Sequence, residues 1–439
     1  MTPADGLKKS LTPLMLWGLG VGYVISGMYF GWNLGLEKGG TLGMAITTTV
    51  IMLMYVTFSF SYAELACAIP KAGGAFDYAQ KALGSEAGFI AGIAQSVEFI
   101  FAPPAIAFAI GAYFNSFFPQ VPVLTTALFA YVLFTAINIY GVKEAASFAT
   151  AVTIIAIIGL AIFYVLALPA FKAENLTRNS FPNGWQGAFA AIPFAIWFFL
   201  GIEGVANVAE ESVNPQKDIS RGFGLSMTTL AVLCVLVFVF AVGIAGWETI
   251  VYKNGKSGET SDSPLPLALS KINGESDVWL KTFIIVGLSG LIASFHGLLL
   301  AAGRSTFEMG RTKQLPAFLG RVSEKFKTPA NSLLVNMVIG MIALLTGKTA
   351  IIITISVFGA LTLYIISMIS VFALRKKYPE LHRPFKTPLY PAMPFITLVI
   401  AVISLAAMCI YNWQMAIAYF VILFLALVVF KILNPGRHE

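Results

Sequence analysis

Long apolar stretches occupy most of this 439-residue sequence. Hydrophobic residues make up 58% of the chain and charged residues 11%, whereas a soluble protein carries about 25% charged residues. A chain this apolar cannot cover its core with polar surface, so its solvent must be lipid. Since about 20 apolar residues cross a bilayer as a helix, the sequence predicts an all-α integral membrane protein with twelve transmembrane helices. The predicted spans are 12–36, 42–69, 86–115, 122–140, 144–169, 186–210, 220–247, 278–307, 331–346, 350–374, 391–412 and 414–433.

Lysine and arginine residues predict the orientation of these spans, because cytoplasmic loops are enriched in them. With the N-terminus placed in the cytoplasm, 20 of the 28 basic residues fall in cytoplasmic segments and 8 in outside segments. The sequence therefore predicts that both termini are cytoplasmic. The formal net charge of +7 follows from this bias, so no nucleic acid is expected as a partner.

Two loops are expected to cover the ends of the bundle. The stretch 73–84 is less apolar than its neighbours and predicts a short helix lying at the inner membrane interface. The outside loop 248–277 is polar and rich in glycine, serine and asparagine. We expect it to cover the external mouth of the protein.

The sequence lacks the residue constellations that enzymes and metalloproteins use. The three cysteines, Cys67, Cys234 and Cys409, fall in apolar spans without the spacing of a disulfide or a metal site. No nucleophile–base pair, phosphate loop or metal cluster is apparent. The sequence therefore predicts free thiols, no cofactor, no metal and no enzymatic activity.

Two apolar segments are interrupted by glycines, one at 22–31 and one at 197–204. Glycine lowers the cost of leaving helical geometry, and unwinding inside hydrocarbon leaves polar backbone groups that a ligand can satisfy. Such interruptions in corresponding halves of a membrane protein indicate a transported-solute site. The two interrupted spans run in opposite directions, which predicts a five-plus-five inverted repeat of 12–169 and 186–374, with 391–433 outside it.

The motifs along the chain resemble those of the amino acid–polyamine–organocation permeases over essentially its whole length. Within that family, residues 27–33 and 101–106 are most similar to the ethanolamine permease subgroup. The resembling stretches are Ile25-Ser26-Gly27-Met28-Tyr29-Phe30, Tyr62-Ala63-Glu64-Leu65-Ala66, Pro70-Lys71-Ala72-Gly73-Gly74-Ala75-Phe76, Gly201-Ile202-Glu203, Ala209-Glu210-Glu211-Ser212-Val213-Asn214-Pro215 and Arg383-Pro384-Phe385-Lys386-Thr387-Pro388.

The resemblance implies a leucine-transporter-like fold with substrate between the first, third, sixth, eighth and tenth spans. It places the first unwound segment on Ser26 and Gly27, the sixth-span break on 200–202 and an aromatic gate on Trp197. The sequence departs from the family pattern in two places: Ile25 precedes Ser26 where the family commonly has glycine, and the fifth span lacks the central lysine of some proton-coupled members, which leaves the coupling ion open. A proton and sodium both remain candidates.

Ionisable groups inside a membrane are costly and therefore functional candidates. Gln95 and Glu98 are three residues apart and share a helical face, which suits a pocket wall that holds an ammonium group; a structural hydrogen bond is the alternative. Glu203 follows the sixth-span break and could support freed amides, contact substrate or carry a proton. His296 could couple proton movement or form an interhelical hydrogen bond.

Three carboxylates near the inner ends of the second and sixth spans are expected to form ion pairs that make an inner gate. Three aromatic side chains beside the breaks could close over a bound amine, a contact worth about 0.5–2 kcal/mol. The gate carboxylates are Glu64, Glu210 and Glu211, their candidate partners are Lys71, Arg304 and Arg311, and the aromatic residues are Tyr29, Trp197 and Phe199.

These observations predict a secondary active transporter that moves a small amine, with ethanolamine favoured, by alternating access across the cytoplasmic (inner) membrane of a bacterium. An amino-acid permease or exchanger is the alternative, with the substrate carboxylate on the amides of Gly27 and Met28. A channel or a substrate sensor is a further alternative. The predicted substrate-binding residues are Ile25, Ser26, Gly27, Tyr29, Gln95, Glu98, Trp197, Phe199, Gly201 and Glu203.

Overall fold

The structure of the protein is a computed structural model that describes residues 10–140, 145–255, 257–274 and 277–433. Over these residues the regular secondary structure is helical, apart from two isolated β-bridges. Ten of the described helices are long and apolar enough to cross a membrane, and two shorter helices are also apolar. Together they confirm the prediction of an all-helical membrane protein.

The helix Asn33–Ala68 contributes to both the first and the second crossing. Pro13–Val24 has 12 residues and is about 18 Å long, which is too short for a hydrocarbon core of about 30 Å. The helix Asn33–Ala68 has 36 residues and is broken at Gly40, where φ is 63° and ψ is −171°. Its first turns therefore complete the first span, and the part after Gly40 is the second span.

The remaining ten crossings follow the predicted boundaries closely. The sixth consists of two helical pieces, and each of the other nine is one helix. From the third crossing onward, they are Ser85–Asn115, Val123–Tyr140, Ala145–Ala167, Ile192–Trp197 with Ile202–Glu211, Pro215–Ala245, Val278–Arg311, Ala330–Leu344, Thr349–Lys377, Ala392–Tyr411 and Trp413–Leu433.

Burial separates the inner spans from those that face lipid. The most apolar window of the sixth span is 100% buried and that of the third span is 78% buried, whereas the value is 17% for the twelfth. Large apolar side chains such as Phe129 and Phe424 lie on the exposed surfaces of the fourth and twelfth spans. The third and sixth spans therefore form the centre of the bundle.

The short helix Ala75–Leu83 confirms the predicted helical segment, but its predicted place on the membrane interface is wrong. Phe76 and Tyr78 are buried, and the Lys377 ammonium at the end of the tenth span donates to the Ala82 carbonyl at 2.8 Å. The helix is thus packed beneath the third and tenth spans. It lies where the first span begins, and we call this end of the bundle the N-terminal side.

The loop 248–277 lies at the opposite side and contains the helices Glu248–Val251 and Pro264–Asn273. The Asn33 amide group fastens it to the first span by donating to the carbonyls of Ile250 at 3.4 Å and Ser261 at 2.9 Å. A cavity of about 540 Å³ separates part of this loop from the third and eighth spans. The loop therefore covers that end of the bundle, as its position in the sequence predicts.

Candidate functional site

The break in the first span is bridged by a serine of the eighth span. The helix stops at Val24, and the Ser294 hydroxyl accepts from the Ser26 amide at 2.9 Å and donates to the Gly22 carbonyl at 2.6 Å. Ser26 and Gly27 themselves lie in the helical turn Ser26–Tyr29, so the predicted position of the unwinding is wrong. The interruption lies before this turn, at Ile25, and after it, at 30–32.

The break in the sixth span lies at the predicted position. The helix Ile192–Trp197 ends in a turn, Gly201 has the left-handed φ of 98°, and the chain continues as the 3₁₀ helix Ile202–Glu211. Ten residues is long for a 3₁₀ helix, which rarely exceeds three to four residues and often marks a hinge. Left-handed geometry explains why a glycine occupies position 201.

The two breaks contact each other directly. The Trp197 indole donates to the Phe30 carbonyl at 3.0 Å, and this carbonyl is one that the first-span interruption frees. A Cβ atom at Gly27 would lie 2.5 Å from the Trp197 carbonyl oxygen and 3.2 Å from the Phe198 Cα. The missing side chain of Gly27 therefore allows the two interrupted backbones to approach.

Two carboxyl groups lie side by side at the centre of the bundle. Glu98 of the third span and Glu203 of the sixth are completely buried and interact directly with each other. The Tyr364 hydroxyl donates to Glu203 Oε2 at 3.1 Å and pairs with the Tyr55 hydroxyl at 2.9 Å. Apart from the contact between the two carboxyl groups and the nearby amides of Gly201 and Glu203, both Glu98 carboxyl oxygens and Glu203 Oε1 have no hydrogen-bond partner within the described part of the chain.

No lysine or arginine of the described residues forms an ion pair with either of these carboxyl groups. An unpaired buried carboxylate is expensive, and the cost is removed by a donor that binds to it. Gln95, one helical turn from Glu98, is also completely buried with neither amide atom partnered. The arrangement thus offers acceptors to a small donor-bearing ligand.

The three aromatic candidates have different surroundings. Phe199 packs on Tyr55, with ring centroids 5.3 Å apart, which places it beside the carboxyl pair. Trp197 connects the two breaks through its hydrogen bond to the Phe30 carbonyl. Tyr29 is engaged elsewhere: its hydroxyl donates to the Ala156 carbonyl at 2.6 Å and its ring stacks on Phe283. Its role as an aromatic that closes over substrate stays a prediction.

His296 forms the interhelical hydrogen bond that was the structural alternative. Its Nδ1 atom lies 3.1 Å from the Asn138 amide nitrogen of the fourth span, and the side chain is 5% exposed. The Phe134 ring lies against the imidazole. His296 thus faces the fourth span, whereas Ser294 faces the first span, and its coupling role stays a prediction.

The ion pair predicted for Glu64 has the wrong partner. Its carboxylate accepts hydrogen bonds from Arg375 at 2.9 and 2.6 Å and from the Thr387 amide at 2.7 Å, and Arg383 lies 3.4 Å away. These groups come from the end of the tenth span and the loop after it. Glu64 therefore joins the second span to the tenth.

The other two gate candidates hold the sixth span to different elements. Glu211 forms an ion pair with Arg304 of the eighth span at 2.7 Å, one of the predicted partners. Glu210 instead accepts from the Ala72 amide at 3.1 Å, and no ion pair of Glu210 is found within the described chain. The Asn207 amide nitrogen donates to the Ala72 carbonyl at 2.8 Å, so Ala72 is held through both of its backbone groups.

We expect Glu64→Gln to reduce stability by about 3–5 kcal/mol, because it leaves the partly buried Arg375 without its charged partner. Thermal unfolding of the purified protein would measure this loss. Glu86→Gln is the control, since the exposed Glu86–Lys431 ion pair, at 3.2 Å, belongs to a class worth about 0–1 kcal/mol. Equal unfolding temperatures for the two variants would contradict the structural role of Glu64.

Sequence reasoning missed several polar residues around the breaks. Ser294 and Tyr364 satisfy groups of the first span and of Glu203, and Tyr62 and Asn207 lie on the N-terminal side of the carboxyl pair. Each is a polar residue in an apolar stretch, which is the available signal. Many serines and tyrosines share that property, so the contact across the bundle is what distinguishes these four.

Comparison with known proteins identifies the family to which the chain belongs. The family described as "Amino acid permease" matches residues 11–431. The branched-chain amino acid permease BcaP of Bacillus subtilis is 26% identical over 97% of this chain and 92% of its own. The methylthioribose transporter of B. subtilis is 27% identical (90% and 87%), and the low-affinity putrescine importer PlaP of Escherichia coli K12 is 26% identical (84% and 82%).

These relatives are named as permeases, transporters and importers, and the match covers nearly the whole chain. The helical architecture agrees with the leucine-transporter-like fold that the motifs imply. The protein is therefore a multi-pass membrane transporter, not an enzyme, and it belongs to the amino acid permease family of the amino acid–polyamine–organocation superfamily.

Proposed function

We propose that this transporter is a secondary active carrier for a small compound with a primary ammonium group, and that ethanolamine is its substrate. The observation that carries the proposal is the buried Glu98–Glu203 pair, whose carboxyl groups contact each other and nearby amides but form no ion pair with a basic residue among those described. A hydrogen bond from a charged donor contributes about 1.5–3 kcal/mol. An ammonium group supplies three such donors and the charge that the pair lacks.

The aromatic side chains beside the pair suit the same substrate. Tyr55 and Phe199 pack together at 5.3 Å, and Tyr364 lies 5.5 Å from Tyr55. Ring faces attract cations, and the Tyr364 hydroxyl orients Glu203. A small organic cation would therefore meet carboxyl oxygens on one side and aromatic rings on the other.

The first-span break supports an amine without a carboxylate. The Met28 amide already donates to the Ile25 carbonyl at 3.0 Å, and the Ser26 amide donates to the Ser294 hydroxyl at 2.9 Å. Two of the amides at this break that could have received a substrate carboxylate are thus engaged. This favours ethanolamine, which carries a hydroxyl group, over an amino acid.

An amino-acid permease or exchanger is the second candidate, and the comparisons favour it. The matching family is described as amino acid permease, and one relative aligned over 97% of the chain is named for branched-chain amino acids. Its ammonium group would use the same carboxyl pair. The two candidates therefore differ in what binds the other end of the substrate.

The working cycle that we propose is alternating access. The first and sixth spans would move against a scaffold of the third, fourth, eighth and ninth spans within two inverted repeats, 12–169 and 186–374, with the helices of 391–433 outside them. The N-terminal side would face the cytoplasm of a bacterium, in its inner membrane, and the Glu211–Arg304 pair would break on inward opening. A proton or sodium ion would drive uptake.

Competition for uptake tests the substrate. We expect excess unlabelled ethanolamine and ethylamine to inhibit uptake of labelled ethanolamine into proteoliposomes, and alanine to leave it nearly unchanged, because alanine adds a carboxylate next to two acidic groups. Strong inhibition by alanine and none by ethylamine would select the amino-acid alternative. Accumulation against a gradient under an imposed proton or sodium gradient would separate a carrier from a channel or sensor.

A further inference from the structure

Three buried polar atoms surround the empty side-chain position of a glycine on the N-terminal side of the carboxyl pair. A Cβ atom at Gly74 would lie 3.3 Å from Tyr62 Oη, 3.4 Å from Asn207 Nδ2 and 3.4 Å from Gln95 Oε1. These residues come from the second, sixth and third spans. The glycine thus leaves a small gap at which three spans present polar groups.

The side chains around this gap are buried and not saturated with hydrogen bonds. Tyr62 and Gln95 are 0% exposed and Asn207 is 1% exposed. Over the described residues, both Gln95 amide atoms and Asn207 Oδ1 lack a hydrogen-bond partner, and the Tyr62 hydroxyl interacts with the Ala75 amide. Buried polar atoms without partners are rare in native proteins, so a cluster of them indicates a place that a polar guest occupies.

The gap lies between the carboxyl pair and the N-terminal end of the bundle. Tyr62 interacts electrostatically with both Glu98 and Glu203, and Gln95 precedes Glu98 by one turn toward the start of the third span. Beyond the gap, the Asn207 amide nitrogen and the Glu210 carboxylate of the sixth span bind the two backbone groups of Ala72. These hydrogen bonds close the route at the N-terminal side of the bundle.

Acidic and basic side chains surround the outer end of this route. Asp77 accepts from the Gly73 amide at 3.1 Å and interacts with the carboxylates of Glu210 and Glu308, while Lys71 lies 3.8 Å from Asp77. Burial raises the pKa of Asp77 to about 6, and Lys71 opposes the shift. Arg311 also pairs with Glu308 at 2.7 Å, so the rim carries charges of both signs, whereas neutral side chains line the gap behind it.

We propose that Tyr62, Gln95 and Asn207, arranged around Gly74, form a transit site for the primary ammonium group of the substrate on its way from the carboxyl pair to the N-terminal side. Asn207 Nδ2 donates to the Ala72 carbonyl, so the acceptors that face the gap are two neutral oxygens, Tyr62 Oη and Gln95 Oε1. They bind a cation more weakly than two carboxyl groups do, and a carrier needs sites weak enough to let the solute leave. The inference rests on the proposed function.

Gly74→Ala tests the site, because the new methyl group would occupy the gap. Gly84→Ala is the matched control: the two glycines flank the same helix with φ of 59° and 100°, and a Cβ at Gly84 meets nothing within 4 Å. We expect Gly74→Ala to lower ethanolamine uptake by about tenfold while equilibrium binding changes less than about twofold. Uptake equal to that of Gly84→Ala would overturn the site.

Tyr62→Phe provides a second test that removes only the hydroxyl group. In proteoliposomes of known orientation, we expect KM for ethanolamine measured from the N-terminal side to rise by about threefold or more, with KM from the opposite side unchanged. Unchanged KM on both sides would overturn the transit site even if Gly74→Ala did not fold. Native protein that neither binds nor transports an amine would instead overturn the proposed function, and the transit site with it.

Discussion

Replacement of Glu98 by glutamine is expected to weaken ethanolamine binding by about 10- to 100-fold, because a charge-assisted hydrogen bond of about 1.5–3 kcal/mol is lost. The substitution keeps the shape of the side chain. Glu98 interacts directly with Glu203 and with the Gly201 amide, and the amide group of glutamine can keep both contacts. We therefore expect the variant to fold with a stability close to that of the native protein.

Equilibrium binding and thermal unfolding of the purified variant would measure both properties. A ligand that binds the folded protein raises its unfolding temperature in proportion to RT ln(1 + [L]/Kd), so ethanolamine should protect the native protein and protect Glu98→Gln much less. Glu86→Gln, at the exposed start of the same span, is the control for a lost carboxylate. Native affinity in a folded Glu98→Gln variant would exclude Glu98 from the site.

Gly27→Val is expected to reduce transport by about 10- to 100-fold, because overpacking costs about 1–3 kcal/mol. The new Cβ would lie 2.5 Å from the Trp197 carbonyl oxygen, and that oxygen belongs to a backbone which cannot move without displacing the sixth-span break. The effect differs from the filling of a ligand cavity: it separates the two interrupted spans. Uptake of labelled ethanolamine is the measurement.

Gly224→Val is the control for Gly27→Val, since a Cβ at Gly224 meets nothing within 4 Å. Gly27→Ala introduces the same Cβ contact without a branched side chain and tests the contact if the valine variant is poorly expressed. Native transport by both Gly27 variants would mean that the observed approach of the two spans is not required during the cycle.

The twelve crossings could be predicted from sequence because hydrocarbon thickness fixes span length and polar loops separate the spans. Even the division of the helix Asn33–Ala68 was accessible, since the predicted spans 12–36 and 42–69 leave Gly40 between them. In the sixth span, the only glycine between Gly187 and Gly204 is Gly201, and the break lies there.

The first-span break was less predictable because several glycines permit it. Gly22, Gly27 and Gly31 all lie within ten residues, and backbone propensity does not choose among them. The choice is made by Ser294, whose contact with Ser26 joins residues 268 positions apart. A hydroxyl group that replaces the lost helical hydrogen bonds determines where the helix can stop.

The partners of the charged residues were also not predictable from residue type alone. Glu64 could have paired with any basic residue on the N-terminal side, and its partner Arg375 lies 311 positions away. Likewise, Glu98 and Glu203 could be identified singly as costly carboxyl groups, whereas their contact depends on how the third and sixth spans cross. Long-range geometry therefore supplied what residue type alone could not.

The long 3₁₀ helix Ile202–Glu211 would become shorter if it changed into an α-helix. Its residues rise about 2.0 Å each, against about 1.5 Å in an α-helix. Rewinding all ten residues into α-helical geometry would shorten the segment by about 5 Å and rotate the faces that carry Asn207 and Glu210. Both hydrogen bonds to Ala72 would then break together. Shortening of the sixth span along its axis would therefore release the attachment of Ala72, which lies across that axis.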